Sequence, residues 1–330
     1  MLEHGGRLLR AVQQYGIPRA HWLDLSSGIA PWPFPIPPIP VDAWARLPET
    51  EDGLEEAART YYGASQLLPV AGSQAAIQAL PLLRAAGRVG VLTPCYAEHP
   101  YAWQRAGHQL VELHEAQVDA VLDSLDVLVL VNPNNPTGRR VSREKLLGWH
   151  ARLAERGGWL LVDEAFMDNT PADSVVDCTG REGLIVLRSF GKFFGLAGVR
   201  LGFVAAERSL LQRLAELLGP WTVNGPTRVL AQASLADEAA QRVQTERCAA
   251  ASQRLARLLA STGLAPSGGC DLFQYVSSER AAALHEFLAR RGILVRLFEH
   301  PPAVRLGLPE CAADEQRLAQ ALADYQKESA

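Results

Sequence analysis

Apolar residues along this chain fall into two patterns that alternate. Short uninterrupted runs occupy residues 89–92, 126–131, 159–162 and 184–187, the clearest being Val127-Leu128-Val129-Leu130-Val131 and Leu184-Ile185-Val186-Leu187. Such runs, bounded by turn residues, read as strands buried on both faces. Residues 111–113 and 201–205 add two shorter strands. Between them lie stretches with helical spacing, at 52–62, 75–86, 101–106 and 142–156, after a first short helix at 7–15. Strands joined by helical crossovers predict an α/β fold with a mostly parallel sheet, whose ligands gather beyond the carboxyl ends of the strands. Residues 208–260 read as amphipathic helix broken at Gly219-Pro220 and Asn224-Gly225-Pro226. A strand at 272–276, a helix at 279–291, strands at 293–297 and 303–308 and a helix at 312–327 complete a smaller α/β domain.

This pattern predicts an N-terminal arm over 1–45, a large domain over 46–225 and a small C-terminal domain over 226–330. The arm carries the run Pro31-Trp32-Pro33-Phe34-Pro35-Ile36-Pro37-Pro38-Ile39-Pro40. Proline fixes an extended backbone, and the interleaved apolar residues want a surface to lie on. Either the arm packs across the body or a partner subunit, or it serves a proline-binding module.

Composition narrows the class without changing the fold. With 48% hydrophobic and 21% charged residues this is an ordinary globular chain, long enough at 330 residues for a large core. A net charge of −4 argues against non-specific nucleic-acid binding. Five scattered cysteines show neither disulfide-frame nor zinc spacing, and no run is long enough to span a membrane. The start, MLEHGGRLLR, lacks an apolar signal core. The expectation is a cytoplasmic protein without a metal site.

The stretch Ser189-Phe190-Gly191-Lys192-Phe193-Phe194-Gly195-Leu196-Ala197-Gly198-Val199-Arg200 carries the candidate chemistry. An amine among apolar residues loses part of its charge preference and becomes a Schiff-base former, while Ser189 and Arg200 offer a dianion site beside it. An aldehyde bearing a phosphate meets both features, which points to pyridoxal phosphate; the alternative is an ordinary loop lysine. Such chemistry also needs a carboxylate at the pyridine nitrogen, and Asp163 at a strand end fits, with Glu164 as the alternative. Asn135 follows the neighbouring strand and is placed to reach the ring oxygen, and Tyr96 to stack on the ring. Gly72-Ser73-Gln74 opens a helix with free N–H groups for the phosphate, to which Ser73, Gln74, Ser189 and Arg200 are assigned.

These motifs in this order resemble fold-type I pyridoxal-phosphate enzymes, in particular the branch holding histidinol-phosphate aminotransferases and threonine-phosphate decarboxylases. The resemblance covers about residues 20–320 and rests on Gly72-Ser73-Gln74, Pro94-Cys95-Tyr96, Asn134-Asn135-Pro136-Thr137-Gly138, Asp163-Glu164-Ala165-Phe166, residues 189–200 and Val304-Arg305-Leu306. It implies that Lys192 bonds the cofactor, Asp163 pairs with the ring nitrogen, and Arg305 binds an acid group of the substrate. It also implies a homodimer. Three positions depart from the family. Phe166 stands where a tyrosine is common, Gly191 where serine or threonine precedes the lysine, and Leu47-Pro48-Glu49 where a tyrosine reaches the neighbouring subunit. Tyr61 and Tyr62 are the candidate replacements for that last contact.

His4-Gly5-Gly6, followed by Trp22-Leu23-Asp24-Leu25-Ser26-Ser27-Gly28-Ile29, resembles the decarboxylase branch, where the histidine segment helps to bind substrate phosphate. A glycine pair suits a closing segment, and the alternative is a frayed terminus. The expected substrate is a small phosphorylated amino acid, gripped by His4, Gly5, Gly6, Arg296 and Arg305; the alternative for Arg296 is a structural ion pair. The resemblance implies decarboxylation of L-threonine O-3-phosphate for cobalamin biosynthesis, with histidinol-phosphate-type transamination as the rival.

Overall fold

The computed structural model describes residues 4–329, so Met1–Glu3 of the expected arm and Ala330 of the expected small domain lie outside the described residues. The strands in chain order are β1 (Leu23–Leu25), β2 (Leu67–Val70), β3 (Arg88–Leu92), β4 (Gln109–Leu113), β5 (Val127–Val131), β6 (Trp159–Asp163), β7 (Leu184–Ser189) and β8 (Gly202–Ala205). Four more follow: β9 (Gly268–Cys270), β10 (Phe273–Ser277), β11 (Ile293–Glu299) and β12 (Pro302–Gly307). The chain divides into two compact units. A central unit holds residues 34–135 and 140–242; a terminal unit holds 1–33, 136–139 and 243–330.

The central unit is built on a seven-stranded sheet of order β2-β8-β7-β6-β5-β3-β4. Neighbours from β4 to β7 run parallel, and β8 is antiparallel to both β7 and β2. Alternate residues of the apolar strands enter two separate cores. Leu128, Leu130, Leu160, Val162 and Val186 face one, and Val127, Val129, Trp159, Leu161, Ile185 and Leu187 face the other. That is why these strands read as unbroken apolar runs: both faces are buried. The helix expected over 75–86 is instead Ser73–Ala79 followed by a 3-10 turn, Leu80–Leu83. Pro81 has no N–H to continue the α-helical ladder.

The terminal unit carries a five-stranded sheet of order β1-β11-β12-β10-β9. Here the structure differs from the expected boundaries. Residues 23–25 form β1, which pairs parallel with β11, so the described residues up to Pro33 belong with the C-terminal segment and not to a separate arm. The reason is long-range pairing, which local periodicity does not report. Gly225, read as part of a break near the domain boundary, starts the helix Gly225–Ala236, capped by Asn224 Oδ1 accepting from Thr227 N at 3.0 Å. Two residues of the proline run are buried: Trp32 packs in the terminal unit, its Nε1 donating to Glu310 O at 2.8 Å. Phe34 is buried in the central unit against Phe194, ring centroids 4.7 Å apart. Among the described residues no helix is long and apolar enough to cross a membrane.

Candidate active site

Strand ends in the central unit meet at a cavity of about 140 Å³. Ser73, Gln74, Tyr96, Asn135, Asp163, Ser189, Lys192 and Arg200 all line it. The eight side chains assigned to the cofactor from sequence are therefore brought together, six of them (Ser73, Gln74, Asn135, Asp163, Ser189 and Lys192) from positions at or just beyond the ends of β2, β5, β6 and β7.

The ladder separates Asp163 from Glu164. Asp163 lies at the end of β6 on the same face as Leu161, and Glu164 continues the ladder through Glu164 N to Leu187 O at 2.9 Å, facing the other way. Asp163 lines the cavity; its Oδ1 accepts from Ala165 N at 3.0 Å. Glu164 is wholly buried against Arg188, whose Nη1 donates to Oε2 at 2.8 Å. Arg188 also reaches Asp168 at 3.4 Å and lies 4.6 Å from the Tyr62 ring. Burial raises the pKa of both Glu164 and Asp168, with Arg188 opposing the shift in each. Tyr61 donates to Asp168 Oδ1 at 3.1 Å, and burial holds both Tyr61 and Tyr62 well above the usual tyrosine range. The two tyrosines are thus committed to this internal cluster.

One residue at the site was not read from the sequence. His99, fully buried on the helix Glu98–Arg105, places Nε2 2.8 Å from Asp163 Oδ2. Its position three residues after Tyr96, on the inward face of a helix that also buries Ala102 and Trp103, was the available signal. Replacing His99 by phenylalanine leaves a buried carboxylate oxygen without that partner. The expected cost is about 1–3 kcal/mol of stability. Weaker pyridoxal-phosphate binding, read from the absorbance of the loaded protein, accompanies it; unchanged affinity would mean that His99 serves stability alone.

Around the anion end, glycines admit close backbone contacts. Gly72 has φ +74, and a Cβ there would stand 2.7 Å from Arg200 Nη2. A Cβ on Gly202 would stand 2.4 Å from Ser73 N. The guanidinium and the first N–H groups of the helix Ser73–Ala79 are thereby set side by side. Gln74 is more engaged than expected: its Nε2 donates to Glu98 Oε2 at 2.8 Å and its Oε1 accepts from Tyr96 Oη at 3.2 Å. Burial, followed by Glu98, pushes the Tyr96 hydroxyl up to about 12. At the departing position Gly191, a Cβ would meet Ala197 Cα at 2.7 Å, so a larger residue there would need the backbone to shift. Phe166 packs under the amine, with Lys192 Nζ 5.8 Å from its ring centroid. A carboxylate, an amine, and a hydroxyl–guanidinium–N–H group around one cavity fit pyridoxal phosphate.

The terminal unit holds a second cavity, of about 340 Å³. His4, Gly5 and Arg296 line it. Gly6 is tied beside it, its N–H donating to Ser26 Oγ at 2.8 Å, and a Cβ on Gly5 would stand 2.2 Å from Ser26 O. Ser26 is itself held by Asp24, through Oγ to Oδ1 at 2.6 Å. His4 therefore sits on an anchored segment. Arg305 is buried rather than lining the cavity, with Nη2 donating to Ser26 O at 3.3 Å. Burial pulls its pKa down to about 10; Cys270 opposes the shift and Arg296 adds to it.

A family model described as aminotransferase class I and II matches residues 43–323. The threonine-phosphate decarboxylase of Pseudomonas aeruginosa is 64% identical over 327 residues, 99% of each chain. That of a Sinorhizobium species is 43% identical over 97% of each chain. Among solved structures, the histidinol-phosphate aminotransferase of Sinorhizobium meliloti in complex with pyridoxal-5'-phosphate superposes with a TM-score of 0.87. It covers 100% of this chain and 96% of that one at 22% identity, a likeness of fold. The chain belongs to the aminotransferase class I and II family, and within it to the threonine-phosphate decarboxylases.

Proposed function

We propose that this chain is a pyridoxal-phosphate-dependent carboxy-lyase converting L-threonine O-3-phosphate to (R)-1-amino-2-propanol O-2-phosphate and CO2, in cobalamin biosynthesis. The observation that carries this reading is the anchored His4-Gly5-Gly6 segment at the cavity lined by Arg296. Full-length similarity to threonine-phosphate decarboxylases supports it. In the antiparallel register Arg296 stands directly opposite Arg305, which sets two guanidinium side chains on neighbouring strands of the terminal unit.

When bound, the cofactor supplies an electron sink for the charge left at Cα. Asp163, fixed by His99 and the Ala165 N–H, would pair with the ring nitrogen and keep a proton there. Asn135 and Tyr96 would hold the cofactor ring. Ser73, Gln74, Ser189 and Arg200 hold the cofactor phosphate. Lys192 Nζ would return a proton to Cα. His4, Gly5, Gly6 and Arg296 would grip the substrate phosphate, and Arg305, buried opposite Arg296, would add its charge from behind the cavity wall. That remote handle would orient the substrate for loss of its carboxylate as CO2, and the cofactor would supply the electron sink.

The enzyme acts as a cytoplasmic homodimer in this reading. All five cysteines are free thiols. Ile36, Val41, Trp44 and Leu47 expose 63%, 78%, 69% and 64% of their surface, an apolar strip suited to a second copy.

Purified protein loaded with pyridoxal phosphate and given L-threonine O-3-phosphate is expected to release CO2 and phosphoaminopropanol in equal amounts. Turnover that needs 2-oxoglutarate and yields no CO2 would replace this reading with the aminotransferase. Arg305→Ala is expected to raise KM for the phosphorylated substrate by about 10- to 100-fold, the loss of a charge beside the phosphate, with little effect on unphosphorylated threonine. Equal losses on both substrates would remove Arg305 from the phosphate.

A further inference from the structure

Beside the cofactor cavity of the central unit, three polar side chains are joined in series. Glu98 opens the helix Glu98–Arg105, and its Oε2 accepts from Gln74 Nε2 at 2.8 Å and from Gln78 Nε2 at 3.1 Å. Gln74 and Gln78 lie four apart on the helix Ser73–Ala79, so both amides reach the same oxygen. Gln74 Oε1 in turn accepts from Tyr96 Oη at 3.2 Å. Gln74 and Tyr96 line the cavity, and Glu98 is one hydrogen bond removed from it.

The direction of each bond follows from the chemistry of the groups. A carboxylate only accepts, so the nitrogen of the Gln74 amide must face Glu98 and its oxygen must face Tyr96. Facing an acceptor, the Tyr96 hydroxyl has to donate. Glu98 thus decides, through one amide, where the Tyr96 proton points. The second N–H of that amide is left for the cofactor phosphate assigned to Gln74.

We propose that Glu98 is a positioning residue, which acts through Gln74 to fix the Tyr96 ring against the cofactor. The proposal rests on the reading that Tyr96 holds the cofactor ring. A tyrosine ring hangs from two rotatable bonds, and here every part of it is tied. Its far end is bonded to Gln74, and its edge meets the His99 ring, with centroids 6.2 Å apart and planes at 81°. The turn that carries it is pinned by Asn134 Nδ2 donating to Pro94 O at 2.8 Å. Without the Glu98 carboxylate the Gln74 amide can turn end for end, and the hydroxyl loses its fixed acceptor. A ring already held in place needs less ordering when the cofactor binds.

The test uses the full chain loaded with pyridoxal phosphate, as wild type, Glu98→Ala, Glu98→Gln, Tyr96→Phe, Tyr96→Ala and the Glu98→Ala/Tyr96→Phe double variant. Glu98→Ala is expected to weaken pyridoxal-phosphate affinity by about 3- to 30-fold, read from absorbance as the cofactor is released on dilution. It should also change the circular dichroism of the bound cofactor. With L-threonine O-3-phosphate it should lower kcat more than it raises KM. Glu98→Gln, whose amide oxygen can still accept from Gln74, is expected to recover most of each loss. Tyr96→Phe keeps the ring and removes the tether, so it should reproduce the Glu98→Ala loss. The double variant should then be no worse than Tyr96→Phe, because both changes cut the same chain. A clasp that merely joins two helices predicts the opposite: Glu98→Ala would cost as much in the Tyr96→Phe background as in wild type, and that result would overturn the proposal. So would a Glu98→Ala variant whose affinity lies within about two-fold of wild type. If Tyr96→Ala is defective and Glu98→Ala is normal, Tyr96 keeps its place at the ring and the proposal alone fails. If Tyr96→Ala matches wild type in affinity and dichroism, the place of Tyr96 at the ring falls and the proposal falls with it.

Discussion

Lys192→Ala is expected to keep its fold and lose turnover by roughly 10²- to 10⁴-fold or more, the range for removing a positioned proton-transfer group. The fold survives because the local backbone is held by its neighbours. Phe190 and Phe194 stack at 4.3 Å, Phe193 packs edge-on to Phe194 at 5.2 Å, and Phe34 N donates to Phe194 O at 3.0 Å. None of these contacts uses the lysine side chain. Lys192 stands at the cavity on the short helix Phe190–Phe193, immediately beyond β7, so truncation removes the amine and leaves the wall. Two measurements separate a catalytic amine from a structural one. Borohydride treatment followed by peptide mapping should find cofactor on residue 192 of the wild type and nowhere in the variant. Added small amines should restore some turnover to the alanine variant, because they replace the proton carrier. A variant with wild-type turnover, or cofactor mapped to another lysine, would remove Lys192 from the chemistry.

The sheet and most of this cavity were legible in the sequence because both follow from local pattern. Runs such as 127–131 and 184–187 announce strands buried on two faces, and ligand-binding residues collect beyond their ends. Choosing Asp163 over Glu164 required the strand register, which fixes side-chain parity; composition alone leaves two adjacent carboxylates. His99 was hidden because a buried histidine on a helix looks like core until its partner across 64 residues is known. The role of residues 23–25 was hidden for the same reason. Three residues carry too little pattern to name a partner strand, and β1 finds β11 near the other end of the chain. Gly191 shows the opposite case. Its departure from the family pattern was visible, but the approach of Ala197 that crowds it is a tertiary contact.

Arg188→Met is expected to cost about 3–5 kcal/mol, the range for breaking a buried ion pair from one side. Arg188 is 2% exposed and is shared by two carboxylates, Glu164 at 0% and Asp168 at 6%. Ser174 Oγ and Val175 N also donate to Glu164, so that carboxylate keeps some partners when the guanidinium is lost. Asp168 keeps Tyr61. Both acids nevertheless remain in a site where burial already raises their pKa. The strain falls next to the cavity, because Glu164 follows Asp163 and Arg188 precedes Ser189 in sequence. Denaturant unfolding measures the first effect, and the affinity for pyridoxal phosphate measures the second. Adding Glu164→Gln and Asp168→Asn to Arg188→Met should recover a large part of the stability, since neutral amides do not carry the desolvation penalty of unpaired charge. A single variant within about 1 kcal/mol of wild type would mean that this cluster behaves like an exposed pair. A triple variant no better than the single would assign the loss to packing over the Tyr62 ring instead of charge.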